Sequence, residues 1–205
     1  MTAAPDRAAR ASGAMHPIVR GAAAGELPPW AEAGERRVEH MRRVAELLDG
    51  WARASGHGDE ERGRWRAAGM LHDVLREADP ERLAPAVAPE LRDLPSSLLH
   101  GPAAAARLRE EGVADAELLE AIAYHTIGRP GLGLLGRMLY AADFLEPGRT
   151  FEAEWRADLR ARMPADLDAV LPVVVAARIE HLISSGSRAR AETLAFWNTL
   201  AEEGR

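Results

Sequence analysis

Apolar residues recur along this chain with a helical period. Val38, Met41, Ala45 and Leu48 fall at i, i+3, i+7 and i+10, and Val44 and Trp51 widen the same stripe. Gly56 and Gly58 interrupt it, and Asp59 stands where an N-cap would start a second helix running to about His72. Asp79-Pro80-Glu81 supplies an N-cap, a proline at the first helical position and an acid in the first turn. The Pro-rich stretch 85–97 predicts only short turns of helix. Further helices are expected from about Pro102 to Glu111, from the cap Asp115 to about Thr126, and from about Leu134 to Leu145 beyond a loop holding Gly128, Pro130, Gly131 and Gly133. Three more are expected near 152–162, 165–184 and 188–202. Val173-Val174-Val175 is the one β-like string, and the helical stretch around it outvotes it. The pattern predicts an all-α domain over residues 31–205 without internal repeats. Residues 1–30 are rich in Ala, Gly, Pro and Arg and weakly periodic, which predicts a flexible N-terminal extension.

Composition narrows the chemistry. A chain of 205 residues, 47% apolar and 28% charged, fits one soluble globular domain. It contains no cysteine, which excludes thiolate nucleophiles, disulfide frameworks, Cys-ligated zinc and iron–sulfur clusters. All 26 basic residues are arginine, so a Schiff-base lysine is excluded and any phosphate clamp must be built from guanidinium groups. The net charge of −6 argues against non-specific nucleic-acid binding. No uncharged apolar run reaches the ~18 residues of a membrane span, and the N-terminus lacks a secretory apolar stretch. A cytoplasmic location is expected.

The histidines carry the functional signal. His16 falls in the extension, His57 in a Gly-flanked turn, and His181 beside Glu180; these three are read as structural or surface residues. The others border sequence that should be buried. His40 lies within the first strong helix. His72-Asp73 ends the apolar stretch Ala67-Ala68-Gly69-Met70-Leu71. His100 opens a helix after Leu98-Leu99, and His125 closes one after Ile122-Ala123-Tyr124. Asp143 sits between Ala141-Ala142 and Phe144-Leu145. Buried imidazoles and carboxylates need partners, and a metal is the most economical partner for several at once. Helices in a bundle can aim such side chains at one point. Neighbours such as His72 and Asp73 diverge by ~100° on a regular helix, so they can share a centre only where the helix relaxes at its end.

The order His40 … His72-Asp73 … Asp143 resembles the HD phosphohydrolase superfamily, and the intervening His100 and His125 resemble its two-metal branch. The strings Leu98-Leu99-His100-Gly101-Pro102, Ala121-Ile122-Ala123-Tyr124-His125-Thr126-Ile127-Gly128-Arg129 and Tyr140-Ala141-Ala142-Asp143-Phe144-Leu145-Glu146-Pro147-Gly148-Arg149 are similar to the YqeK family of symmetrical diadenosine tetraphosphate hydrolases. The likeness covers about residues 36–200. Two features depart from it: His72-Asp73-Val74-Leu75-Arg76 stands where His-Asp-Tyr-Ala-Lys is expected, and the loop from Pro130 to Gly136 is richer in glycine.

The resemblance implies an HD-domain helical bundle with a dinuclear metal site. His40, His72, Asp73 and Asp143 would hold one metal, and Asp73 would bridge to a second held by His100 and His125. A mixed imidazole–carboxylate set suits iron, manganese or zinc better than magnesium, and the family suggests two irons. The implied reaction is hydroxide attack on a β-phosphorus of diadenosine tetraphosphate, with ADP leaving and both products ADP. Arg76, Arg129 and Arg149 are candidates to bind the remaining phosphates, and Thr126 to orient a ligand or a phosphate; Asp73 is the candidate catalytic residue. The expected partner is a dinucleoside polyphosphate, with neither nucleic acid nor membrane involved; a homodimer is compatible with the sequence. Three rival readings stand beside this one: an HD nucleotidase or diphosphatase acting on mononucleotides, a non-catalytic nucleotide sensor, and a helical scaffold with accidental histidines.

Overall fold

A computed structural model describes residues 15–204, and among these it contains helices and turns but no strand. The helices are α1 (Pro17–Ala23), α2 (Glu35–Ala54), α3 (Asp59–Leu71), α4 (Pro80–Leu83), α5 (His100–Glu110), α6 (Ala116–Tyr124), α7 (Leu134–Leu145), α8 (Ala153–Arg162), α9 (Leu167–Ser184) and α10 (Ala191–Glu203). Three short 3-10 turns, Ala84–Ala86, Pro89–Leu91 and Ser96–Leu98, fill the Pro-rich stretch, as its composition predicts. The helix caps largely follow their chemistry. The Asp79 carboxylate accepts from the Glu81 amide, and that of Asp115 from the Leu118 amide. Asp59 departs from expectation: Gly58 holds the N-cap position, and Asp59 is the exposed first residue of α3, paired with Arg62 at 3.0 Å.

The stripe read from α2 is its buried face. Met41, Val44, Ala45, Leu48 and Trp51 pack inward, mainly against α3. Helix α7 is buried almost all round, from Leu135 through Tyr140 to Leu145, and touches α2, α3, α6, α8 and α9. A helix so enclosed reads as continuously apolar, which is why Asp143 stands out within it. Helices α5 and α6 pack as one pair, and α9 and α10 as another. No described helix is long and apolar enough to cross a membrane.

The extension expected over residues 1–30 does not extend through its described part. Residues 17–23 form α1, which packs on α3 with Val19 and Ala22 buried, and Arg66 Nε donates to the Ala23 carbonyl at 2.9 Å. The His16 imidazole accepts from the Ile18 amide and caps the helix. A seven-residue helix has no stability alone; tertiary packing makes this one, and a small Val–Ala face is hard to see in an Ala-rich background. Residues 1–14 lie outside the described residues. Further on, the Glu32 amide donates to the Val74 carbonyl at 2.8 Å and the Glu77 amide donates to Glu32 at 3.2 Å, fastening this segment over the turn that follows Asp73.

Two glycines set the distances between elements that matter later. A Cβ on Gly69 would lie 2.5 Å from the Ala45 Cα and 2.6 Å from its nitrogen, so only glycine lets α3 approach α2 this closely. A Cβ on Gly101 would meet the Ile122 carbonyl at 2.8 Å and the His125 ring at 3.0 Å, where α5 crosses the end of α6. Because the obstacle at Gly69 is backbone, Gly69→Ala is expected to cost about 1–3 kcal/mol through overpacking. Thermal unfolding checks this: the variant should melt several degrees below the parent, and an unchanged melting temperature would show that the two helices can part at no cost.

Candidate metal centre

Each polar residue singled out in the sequence emerges where a helix begins, ends or turns its most buried face inward. His40 projects from the second turn of α2. His72 and Asp73 follow the last residue of α3, where regular helix gives way to turns, so the two neighbours can point the same way. His100 is the first residue of α5, His125 follows the last residue of α6, and Asp143 lies in the last turn of α7. Of the nine polar or charged residues buried among the described residues, seven gather here: these six and Glu146. Such a concentration sets the cluster apart from the scattered buried groups, Asp49 and Thr193, each of which has its own partner: Arg62 for Asp49, and the Ile127 carbonyl for Thr193.

Hydrogen bonds fix the histidine tautomers. His72 Nδ1 lies 2.8 Å from the Gly69 carbonyl, His100 Nδ1 3.0 Å from the Ser97 carbonyl, and His125 Nδ1 2.8 Å from the Ile122 carbonyl. A carbonyl oxygen only accepts, so each Nδ1 donates and each Nε2 presents a lone pair. His40 repeats the arrangement with a carboxylate: Nδ1 donates to Glu146 Oε1 at 3.1 Å. The four Nε2 atoms then converge on the two aspartates. Asp73 Oδ2 lies 3.8 Å from His40 Nε2 and 3.6 Å from His72 Nε2. Asp73 Oδ1 lies 3.0 Å from His100 Nε2 and 3.4 Å from His125 Nε2. Asp143 Oδ1 lies 3.1 Å from His40 Nε2. Lone pairs thus face lone pairs in a closed space. The Nε2 atoms of His40 and His72 are buried without a hydrogen-bond partner, and buried polar atoms without partners are rare. A cation satisfies them. Two groups, His40 with His72 and Asp73, and Asp73 with His100 and His125, each bring their ligand atoms close enough to hold a metal ion.

The surroundings tune these groups in consistent directions. Burial works against a charge on His40, but hydrogen bonding to Asp143 and Glu146 prevails and its pKa is raised above 6.5. Burial pushes His72 down to about 4 and lowers His100 as well, keeping these rings neutral and ready to coordinate. Burial alone would raise Asp73 and Asp143, yet the nearby imidazoles, with Arg149 beside Asp143, hold both well below the ordinary carboxylate range.

Not every expected residue joins the cluster. Arg149 does: its Nη2 lies 2.8 Å from Asp143 Oδ1. The Thr126 hydroxyl lies 2.9 Å from His125 Nε2, on which it donates. Arg76 lies beside the His100 end and donates to the Ser97 carbonyl at 3.2 Å, the same carbonyl that orients His100. Arg129 is turned elsewhere, 2.7 Å from Glu120 Oε1 and over the Tyr124 ring. His16, His57 and His181 all lie outside the centre: His16 caps α1, His57 packs near Trp65, and His181 is exposed on α9. Sequence reasoning passed over Glu146, because Glu146-Pro147-Gly148 reads as a helix terminator. Its carboxylate is 2% exposed and takes His40 on one oxygen, and Arg43 Nε at 2.6 Å and the Gly148 amide at 2.7 Å on the other. Those contacts overcome the effect of burial and hold it at about 2. Its position one helical turn after Asp143, closing an apolar run, was the available signal.

The family model for the HD domain matches residues 37–165, more than half of the chain and all six of the clustered residues read from sequence. The chain belongs to the HD domain family. Three relatives, all named symmetrical bis(5'-nucleosyl)-tetraphosphatase, resemble it. The one from Halalkalibacterium halodurans is 29% identical over 175 residues, 82% of this chain and 91% of the relative. That from Staphylococcus aureus is 35% identical over 57% of this chain and 61% of the relative, and that from Bacillus subtilis 40% identical over 41% and 48%. Among solved structures, a protein described as a predicted HD superfamily hydrolase involved in NAD metabolism from Clostridium acetobutylicum superposes with a TM-score of 0.73 at 29% identity, over 83% of this chain and 91% of that one.

Two measurements check this reading of the HD centre. Because Glu146 orients His40 and raises its basicity, Glu146→Gln should weaken metal binding by about 10–100-fold in chelator competition; unchanged affinity would remove Glu146 from the centre. In metal-free protein, an NMR titration of the rings should find His40 titrating above 6.5 and His72 neutral down to about pH 4. The raised value means that His40 stabilises the metal-free fold fully below pH 6.5 and loses that contribution as pH rises through its folded pKa. A His72 that titrates near 6.5 would contradict the burial and tautomer assigned to it.

Proposed function

We propose that this HD protein is a two-metal phosphohydrolase that cleaves diadenosine tetraphosphate symmetrically into two ADP. The observation that carries the proposal is Asp73, each of whose oxygens faces its own pair of histidine Nε2 atoms: Oδ2 faces His40 and His72, and Oδ1 faces His100 and His125. One carboxylate so placed can bridge two ions. The shared name of the three relatives supports the substrate, and the likeness to the first of them runs through 91% of its length.

His40, His72, Asp73 and Asp143 would hold one ion, and Asp73, His100 and His125 the other. Iron fits the neutral imidazole and carboxylate donors, with manganese and zinc as the alternatives of similar chemistry. Bound there, a pair of divalent ions supplies Lewis acidity toward a phosphoryl oxygen and a hydroxide nucleophile at neutral pH. The protein's own groups arrange the rest. The Nδ1–carbonyl bonds keep His72, His100 and His125 in one tautomer, so no ring must reorient during turnover. Arg149, beside Asp143, and Arg76, beside the Ser97 carbonyl that orients His100, would take phosphates to either side of the scissile bond, with Thr126, beside His125, as a hydroxyl donor. Arg129, paired with Glu120, would have to leave that carboxylate to reach a phosphate. Attack by water oxygen at a β-phosphorus breaks its bond to the oxygen bridging to the next phosphorus; that oxygen leaves on the second ADP, and one proton is released to solvent.

Chromatography of the products decides between this activity and mononucleotide hydrolysis. Diadenosine tetraphosphate should yield ADP alone; AMP with ATP, or inorganic phosphate, would contradict symmetrical cleavage. Asp73→Ala should abolish turnover. His100→Ala and His125→Ala should each lose one of two bound metals and most activity while circular dichroism stays helical. Full activity in both variants would exclude the two-metal mechanism.

A further inference from the structure

Three arginines lean on the two aspartates of the centre, and only Arg149 belongs to the set read from sequence. Arg37, one turn before His40 on α2, places Nη1 2.6 Å from Asp73 Oδ2, the oxygen that faces His40 and His72. Arg178, on α9, places Nη1 3.9 Å from Asp143 Oδ2, with its guanidinium 5.5 Å from the centre of the Tyr140 ring. Arg149 takes Asp143 Oδ1. Arg178 lies outside the residues matched by the HD family model.

We propose that Arg37 and Arg178 are polyphosphate ligands, which neutralise Asp73 and Asp143 when no metal is bound and grip the substrate's phosphates when metals are. The inference rests on the phosphohydrolase function proposed above. Three buried carboxylates (Asp73, Asp143 and Glu146) already face four arginines: Arg37, Arg43, Arg149 and Arg178. Adding two divalent cations leaves a large excess of positive charge, which only an anion can offset. The oxygen that Arg37 holds is the one a cation between His40 and His72 would share, so cation and guanidinium compete for it. The Arg37 side chain is 28% exposed and that of Arg178 24%, against 5% and 9% for their aspartates. Each arginine therefore pairs a buried carboxylate with a partly exposed side chain, which can swing off that carboxylate when a cation arrives. A guanidinium offers paired N–H donors suited to phosphate oxygens. Arg43 differs: it is committed to Glu146, whose charge the metals do not touch. Arg37 and Arg178 approach from different helices, and Arg76 lies at the opposite, His100 side. Together they would hold a chain of phosphates across both metals rather than a single one.

The test uses metal-loaded Arg37→Gln and Arg178→Gln with the corresponding Lys variants. Readouts are metal content, melting temperature, ADP affinity by titration calorimetry, and KM for diadenosine tetraphosphate. The expected result is parental metal content with ADP affinity weakened about tenfold or more, equal to about 1.4 kcal/mol, a matching rise in KM, and partial recovery in the Lys variants. ADP affinity and KM within twofold of the parent would overturn the proposal. So would a loss of metal content, or a failure to fold in both the Gln and Lys variants, because either makes the arginines structural. The two readings fail separately: a parent protein that leaves diadenosine tetraphosphate intact refutes the proposed function, whereas normal turnover with unaltered ADP binding in both variants refutes the arginine assignment alone.

Discussion

Four imidazole lone pairs and two carboxylates point at one another inside a protein core. This convergence is unfavourable by itself, since acceptors facing acceptors gain nothing and have lost their water. Much else in the fold follows from it. The Nδ1 protons of His72, His100 and His125 are tied to carbonyls three residues earlier, so those rings cannot relieve the conflict by turning over. His40 is tied to Glu146, and Glu146 in turn to Arg43 and the Gly148 amide. The strain is locked in place, and positive charge relieves it. A proton on His40 and guanidinium groups on Asp73 and Asp143 do so in part; cations held by these groups would complete it.

Holding six such groups together requires helices that start, stop and approach at set points. The ends of α3, α6 and α7, the beginning of α5 and the second turn of α2 meet around Asp73 and Asp143. Gly69 allows α3 to close on α2, and Gly101 allows α5 to close on α6, each where a side chain would collide with backbone. The packing that stabilises the bundle and the geometry that serves the centre are the same contacts. Helix α9, beyond the stretch the HD family model covers, adds Arg178 at the edge of the centre.

Much of this was legible in the sequence, for reasons that also explain what was not. The helices over 35–54, 134–145 and 167–184 follow from apolar periodicity and punctuation, and their observed limits fall close to the expected ones. The six clustered residues stood out because each charged or imidazole side chain bordered sequence that had to be buried. Glu146 gave a weaker signal, since a glutamate before Pro-Gly has an ordinary reading as a helix end. Arg37 and Arg178 gave none: in a chain whose 26 basic residues are all arginine, a guanidinium beside a site looks like one on the surface. Helix α1 was hidden for a different reason. Its buried face is only Val19 and Ala22, and it depends on α3 for its existence, which no local pattern records. The N-cap assigned to Asp59 shifted by one residue because Gly58 adopts the extended backbone that the position needs.

The most direct test of the account is anomalous diffraction from crystals of metal-loaded protein, recorded at the absorption edge of the bound metal. The account predicts two anomalous peaks about 3.5–4 Å apart, one against Nε2 of His40 and His72 and the other against Nε2 of His100 and His125, with the Asp73 carboxylate between them. A single peak, or ligation through Nδ1 with Asp73 turned away, would contradict it.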